Sequence, residues 1–173
     1  NFDEKHFQKY SEAFNKFKFL KKIKIFKANL SNNISINLDK TYKVKGYNYG
    51  LAGKISKGKF EIQKSISSNL IPEDIKEIYL SDLQVSSVFK PKNVNLKSEG
   101  KYSFNNLDFL KLNLEQKLIN NNLILNLDFD YKNSLELDFI NYKKNKDSLA
   151  IVSIDLKKEK NNFEIKNLNF KEG

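Results

Sequence analysis

The chain has 173 residues, enough for one domain with a sizeable core, of which 39% are hydrophobic and 30% charged. Its 14 Phe and 8 Tyr are too many apolar rings for a disordered polymer, so it folds, burying one face of each element rather than two. All 31 basic side chains are Lys, Cys is absent and the net charge is +10; this excludes a disulfide scaffold, a thiolate metal site and a Cys nucleophile, and denies a nucleic-acid surface the Arg fork that reads phosphate and base edges.

The N-terminal segment alone reads as a helix. Phe7, Tyr10, Phe14 and Phe17 are spaced three and four apart, which predicts a short amphipathic helix over 3–16, with Asp3 and Glu4 in the first turn where acids suit the helix dipole. The period then falls to two, and residues 17–173 are expected to be antiparallel strands of a single β-rich domain spanning 1–173. Ile34, Ile36 and Leu38, then Tyr42 and Val44, alternate with polar neighbours. Gly46, Gly50, Gly53 and Gly58 predict bulges or tight turns that bend the sheet, followed by a short strand at Phe60 and Ile62. Ile71-Pro72-Glu73-Asp74 predicts a break before a strand pair over 78–89, and Val94 and Leu96 lead through Gly100 to Tyr102 and Phe104.

The second half alternates most regularly. Leu110, Leu112 and Leu114 form one apolar set; Leu123, Leu125, Leu127 and Phe129 a second; Leu135, Leu137 and Phe139 a third; Val152, Ile154 and Leu156 a fourth. Phe163 and Ile165, then Leu168 and Phe170, end the chain with a one-residue slip that predicts a bulge. Asn replaces Gly and Pro at the turns, because it tolerates the left-handed conformation: Asn32-Asn33, Asn105-Asn106, Asn120-Asn121-Asn122, Lys132-Asn133-Ser134 and Asn161-Asn162 punctuate the runs. No helical pattern intervenes between strands, so parallel crossovers are excluded and the fold class is all-β, a long twisted antiparallel meander. Its one apolar face must be hidden by closure into a barrel, by folding into a sandwich, or by curling into a groove that holds a ligand.

No constellation reads as catalytic, and no cofactor or metal is expected. Asp128, Asp130, Glu136 and Asp138 are expected on two neighbouring strands joined by the 132–134 turn. They alternate with Leu127, Phe129, Leu137 and Phe139, which puts them on the solvated side, where nothing raises a carboxylate for acid–base work. His6 is the one histidine and lacks partners for a dyad or a zinc site. The Lys and aromatic residues of Phe17–Lys24 suit a solvated edge strand first, anionic headgroups second and a nucleic-acid backbone last. Met is absent and both ends read as cuts through a longer protein; no run approaches the ~20 apolar residues of a membrane span.

Asp39-Lys40-Thr41-Tyr42-Lys43, Ser98-Glu99-Gly100-Lys101-Tyr102-Ser103 and Leu137-Asp138-Phe139-Ile140-Asn141-Tyr142-Lys143 carry a resemblance to the AsmA-like family of Gram-negative envelope proteins. These are long β-rich chains forming a groove for phospholipid between the two membranes. The resemblance implies a segment of a periplasmic lipid-transfer or envelope-maintenance protein, anchored to the inner membrane by a segment outside this chain. It implies no enzymatic activity and no specific nucleic-acid partner. A phospholipid or other acyl-chain lipid would then lie along an apolar face made by Leu110, Leu112, Leu114, Leu123, Leu125, Leu127, Phe129, Leu135, Leu137, Phe139, Val152 and Ile154. The alternative from a different class is a ligand-free structural or adhesive β-sandwich, and a third is a basic sheet that binds nucleic acid.

Overall fold

The structure, a computed structural model, describes residues 23–68, 71–159 and 162–173, with side chains excepted at 63–73 and 139. The helix expected over 3–16, His6 and most of the Phe17–Lys24 run lie outside the described residues. Strands follow one another as β1 (Ile23–Leu38), β2 (Val44–Ser68), β3 (Ile71–Lys90), β4 (Asn93–Ser103), β5 (Leu110–Ile119), β6 (Asn122–Tyr131), β7 (Leu135–Leu137), β8 (Tyr142–Lys144), β9 (Ala150–Glu159) and β10 (Asn162–Glu172). Eight of them form one antiparallel sheet in the order β1-β2-β3-β4-β5-β6-β9-β10, and β7 and β8 make a separate ribbon. The all-β meander is thus observed. Among the described residues β1 pairs only with β2 and β10 only with β9, so this sheet is open.

The turns use the chemistry expected of them. Asn120 and Asn121 take φ of 50° and 69° between the paired residues Ile119 and Asn122, the doubly left-handed geometry that suits a two-residue hairpin. At the β1–β2 turn, Asp39 Oδ1 accepts from the Thr41 N–H and Thr41 Oγ1, both at 2.7 Å, and from the Lys43 N–H at 3.0 Å. In the β4–β5 loop Asn105 Oδ1 accepts from the N–H groups of Leu107 and Asp108, both at 2.9 Å.

Several expectations need correction. Asn32-Asn33 is no turn but the middle of β1, where both pair with β2, Asn32 with Leu51 and Asn33 with Gly50. The glycines 46, 50, 53 and 58 do not divide the chain; β2 runs through all four. Pro72 marks no break: β3 is one strand from Ile71 to Lys90, not a pair. Pro is tolerated at the start of a strand, where its missing N–H costs little. The 132–134 turn does not pair β6 with β7; β6 pairs β9, and β7 pairs β8. The bulge expected in the last strand is present, between Ile165 and Asn167.

Bulges do accompany the glycines of β2, as expected: the β1–β2 register shifts between Asn37 and Leu38, opposite Gly46 and Val44, and further irregularities cross the middle of the sheet. The β1–β2 register shifts between Lys27 and Ala28, and the β3–β4 register shifts between Ser81 and Gln84, where Asp82 takes φ 54°. Each bulge moves the outward-facing set by one residue. That is how Ile55 and Leu83, at odd positions, share a face with Gly58, Phe60, Leu80 and Ile78, at even ones.

Candidate functional site

Register places the apolar residues of eight strands in continuous rows on one face. One row reads Ile55, Leu83, Leu112, Phe129, Val152 and Phe170, with Gly100 lying between Leu83 and Leu112. The next reads Gly53, Val85, Ser98, Leu114, Leu127, Ile154 and Leu168, and a third joins Leu96, Gln116, Leu125, Leu156 and Ile165. At ~4.8 Å between strands and ~3.3 Å per residue, the face extends roughly 30 Å in each direction.

The face is floored by small residues at mid-sheet. A Cβ on Gly100 would stand 2.5 Å from Leu83 Cα, so β3 and β4 approach there as only glycine permits, and Leu112 packs against the buried Ala28–Ile55–Leu83 cluster. Toward the sheet margins the apolar side chains lie open: Ile34 is 63% exposed and Leu168 62%.

One end of the face is closed. The β7–β8 excursion reaches β3 and sets Lys144 over the Tyr131 ring, at the end of the sheet where Tyr102, Tyr131 and Ala150 are all buried. Tyr102 donates to the Asp130 carbonyl at 2.6 Å and Tyr131 to the Ser134 carbonyl at 3.0 Å. Phe129 stands edge-on to both rings, with centroids 6.0 and 6.4 Å away. Burial pushes the Tyr102 hydroxyl pKa far up. Lys144 is fully buried and its Nζ donates to the carbonyls of Lys132 and Asn133, both at 3.1 Å, and of Asn145 at 2.9 Å, which ties both limbs of the excursion together. A cleft of about 230 Å³ between Tyr102, Asn105, Asp108, Lys132 and Asp147 sits at this end; it is smaller than the ~300 Å³ at which small-molecule pockets begin.

The sequence-predicted face residues divide accordingly. Leu110, Leu112 and Leu114 on β5, Leu123, Leu125, Leu127 and Phe129 on β6, and Val152 and Ile154 on β9 come together on the main sheet. Leu135 and Leu137 do not: they belong to β7 of the excursion, and residue 139 follows in a short 3-10 turn, its side chain outside those described. The face also takes in Leu51, Leu80, Leu83, Val85, Leu118 and Leu168, whose alternation was the signal that could have added them.

The other face is ionic. Lys54 meets Asp82 at 2.6 Å, Lys59 meets Glu77 at 2.7 Å and Lys97 meets Glu115 at 2.6 Å. The lysine beside each holds its carboxyl below the usual range, Tyr79 assisting at Glu77 and Ser81 at Asp82. Lys24, which begins the described part of the basic run, pairs with Glu61 at 2.9 Å. The four acids are not neighbours: Asp128 and Asp130 lie on β6, whereas Glu136 faces Lys143 at 2.5 Å across the β7–β8 ribbon. Sequence comparison with family models and with curated proteins, and comparison with solved structures, found no match.

Proposed function

We propose that this chain is a segment of an envelope lipid-transfer protein of the AsmA-like type, whose apolar sheet face holds phospholipid acyl chains while its ionic face meets water. In this reading it works in the periplasm, is joined to the inner membrane through a segment outside this chain, and performs no catalysis. The observation that supports it is the mainly apolar face across eight strands, interrupted by Asn32, Ser87, Ser98 and Gln116, closed by the excursion at one end and open along its margins. Each methylene laid on that face gains ~0.8 kcal/mol, so about ten of them offset the several kcal/mol that binding costs. Acyl chains match such a surface because it offers three rows of aliphatic side chains with, among the described residues, no charged group in them.

The test uses the two faces of β6. A photo-crosslinking residue at Leu125 or Leu127 is expected to capture lipid in the cell. The same probe at Ile124, apolar but on the opposite face, is expected to capture none. A second arm replaces Leu125 by Asp. On a face covered only by lipid the carboxylate reaches water and the domain stays folded; beneath a second protein layer it is buried unpaired and the domain unfolds. Unfolding of Leu125→Asp with no adduct at either inward position refutes the lipid face and leaves the sandwich as the better account.

A further inference from the structure

We infer that the outer edge of β1 is an interaction surface that pairs antiparallel with β1 of a second copy of this chain, giving a closed two-fold dimer through a shared sheet. The inference is independent of whether the apolar face takes lipid.

The two edges of the sheet differ in how they are guarded. Exposed strands protect their unpaired N–H and C=O groups with charges, bulges or shortness. The edge strand β10 has two of these devices: Glu164, Lys166, Lys171 and Glu172 along its length, and the bulge between Ile165 and Asn167. In β1, by contrast, no charged side chain and no proline occurs from Ala28 to Leu38. Its polar side there is Asn29, Ser31, Asn33, Ser35 and Asn37, neutral groups that can both donate and accept, which is the composition of strands that stack on their own kind.

The geometry favours a two-fold axis at Asn33. Pairing Ala28–Leu38 with itself around that residue sets Leu30 against Ile36 and Asn32 against Ile34, so Leu30, Ile34, Ile36 and Leu38 stay on the apolar face, with Asn32 a polar residue among them, and Asn29, Ser31, Asn33, Ser35 and Asn37 stay on the polar one. It also supports a part of the fold that lacks support. Beyond the Tyr49–Phe89 pair β3 is about to end, so β1 and β2 run on to the Asp39 turn as a ribbon with no third strand among the described residues. Two-stranded ribbons are marginal alone, and Ile34, Ile36 and Leu38 are at least half exposed there. In the dimer each ribbon lies beside the partner's main sheet. Pairing of β1 with β10 of the next copy would instead be heterologous and would grow without closing.

The experiment measures the mass of the full chain by light scattering and sedimentation between about 10 µM and 1 mM, where mass action reveals weak association. The expected result is a reversible shift toward twice the 20.2 kDa of one chain, going no further. Asn33→Lys sets two ammonium groups opposite each other at the axis and is expected to weaken dimerisation at least tenfold (~1.4 kcal/mol or more). Asn169→Lys on β10 is expected to leave it unchanged. Because the chain has no Cys, Asn33→Cys supplies a single thiol, expected to give a disulfide-linked dimer under mild oxidant while Asn169→Cys does not. A monomer at every concentration overturns the inference. So does an assembly that grows past the dimer, a dimer dissolved by Asn169→Lys but not by Asn33→Lys, or one dissolved only by Leu125→Asp, which would mean that the apolar faces meet instead.

Discussion

Gly100→Ala is the sharpest probe of how the apolar face is built. A Cβ at this position would lie 2.5 Å from Leu83 Cα, 2.8 Å from the Asp82 carbonyl oxygen and 2.9 Å from Leu83 N, all of them backbone. Carbon atoms rest at ~3.5–4.0 Å, so β3 and β4 must part by about 1 Å. That separation stretches the flanking ladder hydrogen bonds from ~2.9 Å beyond bonding range, at about 1 kcal/mol apiece for two of them. The contact of Leu112 with the cluster at Leu83 loosens as well, while the stiffer unfolded chain returns ~0.5–1 kcal/mol. The net expectation is a loss of about 2 kcal/mol, read as a lower urea midpoint with an unchanged slope. Gly46→Ala is the control: nothing lies within 4 Å of its added Cβ, so only the unfolded-state effect remains, and stability should rise by about 0.5 kcal/mol. Equal midpoints for Gly100→Ala and the parent chain would refute the close approach of the two strands.

Two further changes address the ends of the sheet. Hydrogen bonds from Thr41 Oγ1, the Lys43 N–H and the Thr41 N–H, in that order of weight, hold the Asp39 carboxyl below the usual range. A depressed folded-state pKa gives stability that is present above the unfolded value and lost as pH falls through the folded one; amide exchange at the β1–β2 turn should therefore quicken below about pH 4, and Asp39→Asn should abolish that acid limb. Lys144→Met keeps the apolar stem but strips three carbonyls of their donor. It should cost about 2–4 kcal/mol and raise amide exchange across 132–149; exchange unchanged in that segment would show that the buried ammonium does not hold the excursion.

What was legible in the sequence was alternation, and alternation is a local property. The pairs Leu112–Phe129, Leu114–Leu127 and Leu127–Ile154 follow from apolar residues at every second position, since any antiparallel register of the right parity puts them on one face. Strand length was illegible because the usual punctuators were spent otherwise. Gly53 and Gly100 serve close backbone approach rather than turning, and Asn32 and Asn33 fill an edge strand. The choice of partner was hidden too. Leu135, Leu137 and Phe139 alternate as well as any strand here, but Asn141 takes φ 50° after the 3-10 turn at Asp138–Ile140 and sends the chain back on itself as β8. The buried Lys144 then fixes the excursion through backbone carbonyls, a contact that no hydrophobic pattern records. Register consequently brings the expected residues of β5, β6 and β9 into shared rows and sets Leu135 and Leu137 apart on the β7–β8 ribbon.

The distribution of burial says what kind of stability this sheet has. Among the described residues, Ala28, Ile55 and Leu83 form a buried apolar cluster around the paired bulges, with a second buried group at the aromatic end where Tyr102, Tyr131, Ala150 and Val152 lie. Between and beyond them, Leu114, Leu125, Leu127 and Ile154 are only half buried, and among the described residues they are sheltered by neighbours in their own rows. Cross-strand pairs of that kind contribute ~0.2–1 kcal/mol each, far less than the ~1.5–3 kcal/mol of a fully buried side chain. A layer that covers the rows would therefore add to the stability of the sheet as well as lose its own contact with water. In the proposed reading, acyl chains bound to the folded face would have nothing equivalent to bind on the unfolded chain, so occupancy and folding stability would rise together by mass action. On the polar side no such coupling exists, since Lys54–Asp82, Lys97–Glu115 and their neighbours are already paired in open solvent, where each adds little. The asymmetry between the faces is thus energetic as well as chemical, and it concentrates whatever a partner can contribute on the side where Leu125 and Leu127 point.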